Sequence, residues 1–296
     1  MTIKKMKTQA KRITVIGLGN MGAAIARLYL NKGYRVTVWN RSAEKAVAMQ
    51  AEGAEIAGSP EAAVAASPVT IICVHNYSAS NDALRHTAVE AVLNGKTLIQ
   101  LSTGSPQDAR DAENWLARFG AAYLDGAIQV APEQMAQPDT TILLSGREET
   151  FQAQAELLAV LGGGNTYLGN NIGAAAAMDL ATLSYVYGAY LGFLQGVLFV
   201  DSEQLDLDVY GKTVARMSAS FGQFLQHQGK AIARQQFEVT QSPMSISLEA
   251  IDRIVDAAKT AGLHAALPEL IAGLLHKATA AGYGNEELAA LIKVLR

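Results

Sequence analysis

Between Ile13 and Arg41 the chain reads ITVIGLGNMGAAIARLYLNKGYRVTVWNR, and no other stretch limits the possible folds so strongly. An apolar, β-branched run from Ile13 to Ile16 leads into Gly17, Gly19 and Gly22, and an alanine-rich helical segment follows. The result is G-x-G-x-x-G set between a strand and a helix, the context that separates a dinucleotide-binding turn from a chance match. Gly17 permits the tight turn, Gly19 lets the main chain approach a pyrophosphate, and Gly22 lets helix and strand pack closely. Leu18, Asn20 and Met21 complete the loop. Their N–H groups open a helix N-terminus, where the dipole favours an anion.

The end of the second strand speaks to cofactor choice. An NAD site usually places a carboxylate roughly 20 residues beyond the loop, to hold the ribose 2′-hydroxyl. Here Val36-Thr37-Val38-Trp39 runs into Asn40, Arg41 and Ser42, with Lys45 one turn later. A guanidinium suits a 2′-phosphate through planar, charge-assisted pairing, and the missing carboxylate removes the repulsion a phosphate would meet. NADPH is therefore favoured over NADH. Taken alone, Arg41 also reads as an ordinary solvated turn residue.

A chain of 296 residues, half of them hydrophobic and 17% charged, can bury a large core and excludes a disordered protein. The net charge of −3 gives no electrostatic footprint for nucleic acid. One cysteine, Cys73, excludes an intramolecular disulfide and fits a reducing cytoplasm. Its neighbours Ile71, Ile72 and Val74 make it a buried strand residue with no expected nucleophilic role. Lys4, Lys5, Lys7, Lys11 and Arg12 are followed by no apolar h-region of the kind a secretory signal carries, so a solvated tail ahead of the first strand is expected. Five scattered histidines lack ligand spacing, and no metal is expected.

Further strands are expected at Val69–Val74, Thr97–Leu101, Ala122–Leu124 and Thr141–Ser145, alternating with helices. That alternation argues for a mostly parallel, doubly wound sheet of Rossmann type, an α/β fold. Ser59-Pro60-Glu61 reads as an N-cap, a first-turn proline and a first-turn acid. Gly162 to Asn165 reads as a flexible break, and from Ile172 to Val200 the chain is almost uniformly apolar. Between Glu156 and Asp201 its only charged side chain is Asp179. A run of that length invites a transmembrane reading, but the internal carboxylate and the lack of flanking basic residues oppose it. Gly188, Gly192 and Gly196 recur every four residues, a smooth ridge for close helix approach. A helix apolar on all sides must be covered on all sides, and homodimerisation follows from that need. Amphipathic stretches at Val214–Gln226, Leu248–Ala261, Glu269–Ala280 and Glu286–Leu295 complete an all-α C-terminal part. The expected organisation is a nucleotide domain over 1–166, a long interdomain helix over 167–200, and a helical dimerisation and substrate domain over 201–296.

This order of parts resembles the β-hydroxyacid dehydrogenase superfamily over nearly the whole chain. GLGNMG, LSTGSPQDAR (Leu101–Arg110), LDGAI (Leu124–Ile128), the run from Gly173 and GYGNEELAALIKVL fall in that superfamily's order. In the dehydrogenases the fourth region carries a lysine that assists alcohol oxidation. Laid on this chain, that position holds Asp179, and the paired asparagines become Thr182 and Leu183. The aspartate and Asp125-Gly126-Ala127-Ile128 resemble the imine reductases and reductive aminases instead. The resemblance implies NADPH-dependent hydride transfer to cyclic imines or iminiums, with reductive amination as an extension. It also implies a cytoplasmic homodimer that swaps helical domains like that of 6-phosphogluconate dehydrogenase.

Hydride transfer to a ketone develops negative charge, which an ammonium stabilises. Transfer to an iminium begins from a cation, which a carboxylate attracts and a lysine repels. Asp179 is thus the first catalytic candidate, although a buried aspartate can also bridge a helix contact. Tyr187 lies eight residues on, and the resemblance suggests a proton donor or substrate orienter. By itself, beside Tyr185 and Tyr190, it reads as packing. Ser102 and Thr103 lie at a strand's C-terminal end, where doubly wound sheets bind ligands, and serve equally as caps for the helix after Pro106. Cys73, Val74, His75 and Asn76 at another strand end are expected to line the cofactor. Met217, Phe221, Phe224 and Met244 fit either a substrate pocket or a core. The alternatives are a 3-hydroxyisobutyrate-type dehydrogenase, opposed by the missing lysine, and a non-enzymatic NADPH-binding protein.

Overall fold

The computed structural model describes residues 11–296. The basic tail up to Lys7 lies outside them. Two compact units divide the chain, one ending at Leu183 and the other running from Ser184 to Arg296.

The first unit is built on an eight-stranded sheet: β1 (Arg12–Ile16), β2 (Arg35–Trp39), β3 (Glu55–Ile56), β4 (Val69–Ile72), β5 (Thr97–Gln100), β6 (Ala122–Ile128), β7 (Ile142–Gly146) and β8 (Thr166–Tyr167). Its spatial order is β3-β2-β1-β4-β5-β6-β7-β8. Pairing is parallel from β3 through β6, antiparallel between β6 and β7, and parallel again at β8. The chain leaves β1 in one direction for β2 and returns to β1's other side for β4, so the winding reverses between β1 and β4. Ligands of doubly wound sheets bind at the carboxyl ends of the strands that flank such a reversal.

Helices α1 (Asn20–Asn31), α2 (Ala43–Ala51), α3 (Pro60–Ala66), α4 (Tyr77–Leu84), α5 (Thr87–Glu90), α6 (Pro106–Arg118) and α7 (Glu148–Leu158) connect the strands. Both faces of the sheet are covered, which explains why β4 is buried at every residue and reads as a continuous apolar run. One face packs Ile13, Val15, Ile25, Tyr29 and Ile71 together, the other Ile16, Ile72, Leu84, Leu98 and Leu116.

The caps follow local chemistry. Ser59 Oγ accepts the N–H of Ala62 ahead of Pro60, as its sequence predicts. For α6 the cap is Ser105, in a capping box with Asp108, and neither Ser102 nor Thr103. Pro106 fixes this, because proline is favoured at the first helical position and puts the cap one residue before it. Strand β6 runs four residues past the predicted Leu124, because its antiparallel pairing with β7 continues to Ile128.

Helix α8 (Ala174–Ser202) begins in the first unit. It is long and apolar enough to cross a membrane by length and composition, with a mean hydropathy of 1.4. Its start is tied to the sheet. The Ser145 hydroxyl donates to the Ile172 carbonyl (2.7 Å) and accepts the Ala175 N–H (3.1 Å).

In the second unit α8 is followed by α9 (Leu207–Arg234), α10 (Met244–Thr260), α11 (Ala266–Ala278) and the short α12 (Ile292–Leu295). Of the predicted glycine ridge, Gly196 is the member in contact. A Cβ there would lie 1.9 Å from the Tyr210 hydroxyl oxygen, whose proton goes to the Phe193 carbonyl (3.1 Å). Phe237, Met244 and Leu275 belong to this unit's core, whereas Met217 and Phe221 are exposed. Burial pushes the Glu287 carboxyl up, but bonds from Thr240 and His227 outweigh it and hold the group below the ordinary range.

Candidate active site

The glycine loop forms the floor of the first cavity. Gly17 has φ +97°, and a Cβ there would meet the Cys73 carbonyl oxygen at 2.2 Å. At Gly22 a Cβ would lie 2.0 Å from the Gly17 carbonyl oxygen. Nothing lies within 4 Å of the corresponding position at Gly19, so the main chain is open there. Gly19 caps α1 with no side-chain bond, and no acid occupies the first turn. Open N–H groups above a bare glycine are what an anion such as a pyrophosphate requires.

Asn40 ties the end of β2 to this loop. Its Oδ1 accepts the Leu18 N–H (2.9 Å), while its Nδ2 donates to the Ser42 carbonyl (3.0 Å). The residue that replaces the usual carboxylate is therefore a structural tie. Beyond it, Arg41 and Lys45 are exposed, and Ser42 caps α2 with no side-chain bond to its N–H groups. Two cations, a hydroxyl and a second helix N-terminus, with Glu44 the one acid in that helix's first turn, form a corner able to take a phosphate.

Gly17, Leu18, Gly19, Asn20, Met21, Gly22, Asn40, Arg41, Ser42, Lys45, Cys73, Val74 and His75 all line one cavity of about 480 Å³. Trp39, Ala79, Asp82 and Ala83, not foreseen from the sequence, complete its wall. Its glycine-floored cradle and basic corner fit a phosphorylated dinucleotide. Cys73 follows the end of β4 and is part-buried rather than a strand residue. Burial pushes its thiol up to about 11, which keeps it protonated and un-nucleophilic. Asn76 caps α4, its Oδ1 accepting the Ala79 N–H (2.9 Å).

Ser102 supports the wall of this cavity at Val74. It is buried, and its Oγ accepts the Val74 N–H (2.9 Å), which fixes the main chain behind the cavity. Thr103 lines a second cavity of about 230 Å³ with Met21, Cys73, Val74, Leu101, Ala127, Ile128 and Asp179. Met21, Cys73 and Val74 border both spaces, so Asp179 opens toward the end of the cofactor cavity. Asp179 is 8% exposed. Its Oδ1 accepts Gln129 Nε2 (2.7 Å), and the Thr182 hydroxyl lies 2.9 Å from Gln129 Oε1. Tyr187 lies on α8 in the second unit, 65% exposed.

A second carboxyl stands behind the first. Asp125, on β6, is buried and accepts the Tyr77 hydroxyl proton (2.5 Å), while the Tyr77 and Tyr123 hydroxyl oxygens lie 2.7 Å apart. Desolvation pushes Asp125 up to about 7. The Tyr77 bond and the N–H groups of Ala176 and Gly126 pull the other way, and the charge of Asp179 pushes further up. Asp125 thereby grips the first turn of α8 at Ala176, three residues before Asp179. Tyr77 passes over Gly104, where a Cβ would meet its ring at 2.1 Å.

Residues 12–169 match the NAD-binding domain of 6-phosphogluconate dehydrogenase, and residues 171–296 match the C-terminal domain of NADPH-dependent reductive aminase-like proteins. The chain is 32% identical to an NADPH-dependent reductive aminase of Aspergillus oryzae over 97% of its own length and 98% of that protein's. Among solved structures, an imine reductase from Myxococcus stipitatus in complex with NADP+ superposes with a TM-score of 0.89 at 29% identity, covering 96% of this chain and 100% of that one. A reductive aminase from Aspergillus terreus in complex with NADPH and ethyl levulinate gives 0.86 at 32% identity, covering 97% and 100%. The chain belongs to the NADPH-dependent reductive aminase and imine reductase family.

Proposed function

We propose that this protein reduces carbon–nitrogen double bonds with NADPH, acting on cyclic imines and iminium ions and joining amines to ketones by reductive amination. The observation that carries the reading is Asp179. A nearly buried carboxylate, held by Gln129, lines a cavity whose walls continue into those of the dinucleotide cradle. The A. terreus relative solved with NADPH and ethyl levulinate supports a ketone as one reactant.

Leu18 to Gly22 would hold the pyrophosphate, and Arg41, Ser42 and Lys45 the 2′-phosphate. Val74, His75 and Thr103 would lie toward the nicotinamide, with Ser102 as the support behind Val74. Bound NADPH supplies the hydride. Asp179 attracts and orients the cationic nitrogen, a role in which an ammonium would repel the substrate. Tyr187 orients the substrate or serves as a proton donor.

Tyr185, Val186, Tyr190, Leu191, Leu194 and Leu198 on α8 are all exposed in the single chain. We propose that a second copy of the chain covers them in a homodimer with swapped helical domains, rather than lipid. In that reading residues 1–166 bind the nucleotide, residues 167–200 hold the long helix, and residues 201–296 serve dimerisation and substrate binding. A cytoplasmic setting accords with the single cysteine.

NADPH oxidation at 340 nm with 1-pyrroline or 2-methyl-1-pyrroline tests the activity, against NADP+ reduction with 3-hydroxyisobutyrate. Turnover of the imines is expected, and Asp179→Ala should lower it about 100-fold or more while leaving NADPH affinity within about twofold. Turnover of the hydroxyacid alone would overturn the reading.

A further inference from the structure

A helix leaves the N–H groups of its first turn without main-chain partners four residues back. In α8 these belong to Gly173, Ala174, Ala175 and Ala176, since the Ala177 N–H already donates to the Gly173 carbonyl (3.0 Å). Asn171 serves the first two, through Oδ1 to Gly173 (3.2 Å) and through its main-chain oxygen to Ala174 (2.9 Å). The sheet serves the other two. Ser145 Oγ accepts the Ala175 N–H (3.1 Å), and the Asp125 carboxyl accepts that of Ala176. A cap ordinarily comes from the residue just ahead of the helix, whereas half of this one comes from two strands far back in the chain. Both side chains are buried, Ser145 at 0% and Asp125 at 2% exposure, so bulk water cannot take either place.

The two capping groups are a matched pair. Asp125 and Ser145 stand opposite each other in the antiparallel register of β6 and β7, and opposed residues share a face of the sheet. Strand side chains alternate, so Ala127 and Gln129 follow Asp125 on that face, with the Gln129 N–H continuing the pairing to the Thr141 carbonyl (3.0 Å). Ala127 lines the smaller cavity, and Gln129 Nε2 donates to Asp179 Oδ1 (2.7 Å). On α8, Asp179 lies three residues past Ala176 and four past Ala175, about one turn above them on the same side. One face of the sheet thus holds the main chain of α8 at its first turn and the carboxyl of Asp179 a turn later. Successive N–H groups point about 100° apart around a helix axis, so bonds to two of them fix α8 in rotation as well as in height.

We propose that Asp125 and Ser145 are positioning residues that set the rotation of α8 and thereby aim Asp179 into the smaller cavity, a role that rests on the reading of Asp179 given above. Neither residue lines that cavity, so their effect on the reaction passes through Asp179. Tyr77 extends the arrangement to the cofactor side. Its hydroxyl donates to the same Asp125 carboxyl (2.5 Å), and it opens α4 directly after Asn76, which follows the Val74-His75 wall of the larger cavity. One buried carboxyl therefore joins the wall of the nucleotide cavity to the helix that carries Asp179. The register matters because a misplacement of about 1 Å can cost on the order of 100-fold in rate.

With 2-methyl-1-pyrroline at saturating NADPH, Ser145→Ala and Asp125→Ala should each lower kcat about 10- to 100-fold. Asp125→Asn keeps an acceptor for the Ala176 N–H and turns a donor toward the Tyr77 oxygen, and it should restore kcat to within about threefold of wild type. NADPH affinity, read by fluorescence, should stay within about twofold throughout. The deciding measurement is the double variant. Residues that act through one another are not additive, so in an Asp179→Ala background Ser145→Ala should change the residual rate by less than about twofold. Losses that multiply in the double variant would overturn the proposal, since the cap would then support the fold without acting through Asp179. Full activity in either alanine variant, or an Asp125→Asn enzyme as slow as Asp125→Ala, would overturn it too. If Asp125→Ala fails to fold, the Ser145 single and double variants decide. Asp179→Ala with full turnover defeats the assignment of Asp179 itself; an inactive Asp179→Ala beside a wild-type-like Ser145→Ala defeats the positioning pair alone.

Discussion

Asp125→Asn should make the protein markedly less sensitive to alkaline destabilisation. In the folded chain the Asp125 carboxyl is raised from an ordinary 3.8 to about 7, first by desolvation. Between those values the folded protein keeps a proton that the unfolded chain has released. Stability therefore falls as pH rises through that window and levels off above about 7. At about 1.4 kcal/mol for each pH unit, the span comes to about 4 kcal/mol as an upper bound. Asparagine has nearly the same shape, can accept from Tyr77 or the Ala176 N–H, and does not ionise. Urea unfolding of the cofactor-free protein, at fixed protein concentration and pH 4.5, 6 and 8, gives the comparison. Wild type and variant should lie within about 1 kcal/mol of each other at the lowest pH, with the variant gaining by several kcal/mol at the highest. Parallel curves with a constant gap would refute the argument, since they would mean that the carboxyl titrates alike in both states.

Arg41→Ala should weaken NADPH binding about 10- to 100-fold, from the loss of a charge-assisted bond, and leave NADH within about twofold; equal losses in a fluorescence titration would remove the phosphate role. Leu191 is 54% exposed on α8, and Leu191→Glu should convert a dimer to monomers in light scattering behind size exclusion. A wild-type monomer would show that the face has another cover or none.

The nucleotide-binding half was legible because its signals are local. The loop, its strand and its helix occupy consecutive residues, and close packing at Gly17 and Gly22 leaves no room for another side chain. Arg41 lies two residues past the strand end and Lys45 in the first turn of the next helix. The surroundings of Asp179 were not legible in the same way. Gln129 reaches it across 50 positions, and nothing in the residues near Gln129 announces the contact. Asp125 was visible only as part of a resembling motif. Its partners Tyr77, Tyr123 and Ala176 come from a helix, the same strand and the start of α8, and they meet only once the sheet has formed. The bond that Ser102 makes was hidden for a related reason. A hydroxyl at a strand end is able to face a ligand, a neighbouring main chain or both, and the Val74 N–H comes beside it only in the folded sheet.

The double tie made by Asn40 has a practical bearing on attempts to retune the enzyme for the cheaper, unphosphorylated coenzyme. The obvious edit, an aspartate at this place, would keep an acceptor for Leu18 but turn its other oxygen against the Ser42 carbonyl, where an amide now donates. The glycine loop, proposed to hold the diphosphate, would loosen in the same stroke that discouraged the extra phosphate. Redesign is better begun at the side chains of Arg41, Ser42 and Lys45, which shape the corner while the tie runs through the Ser42 main chain.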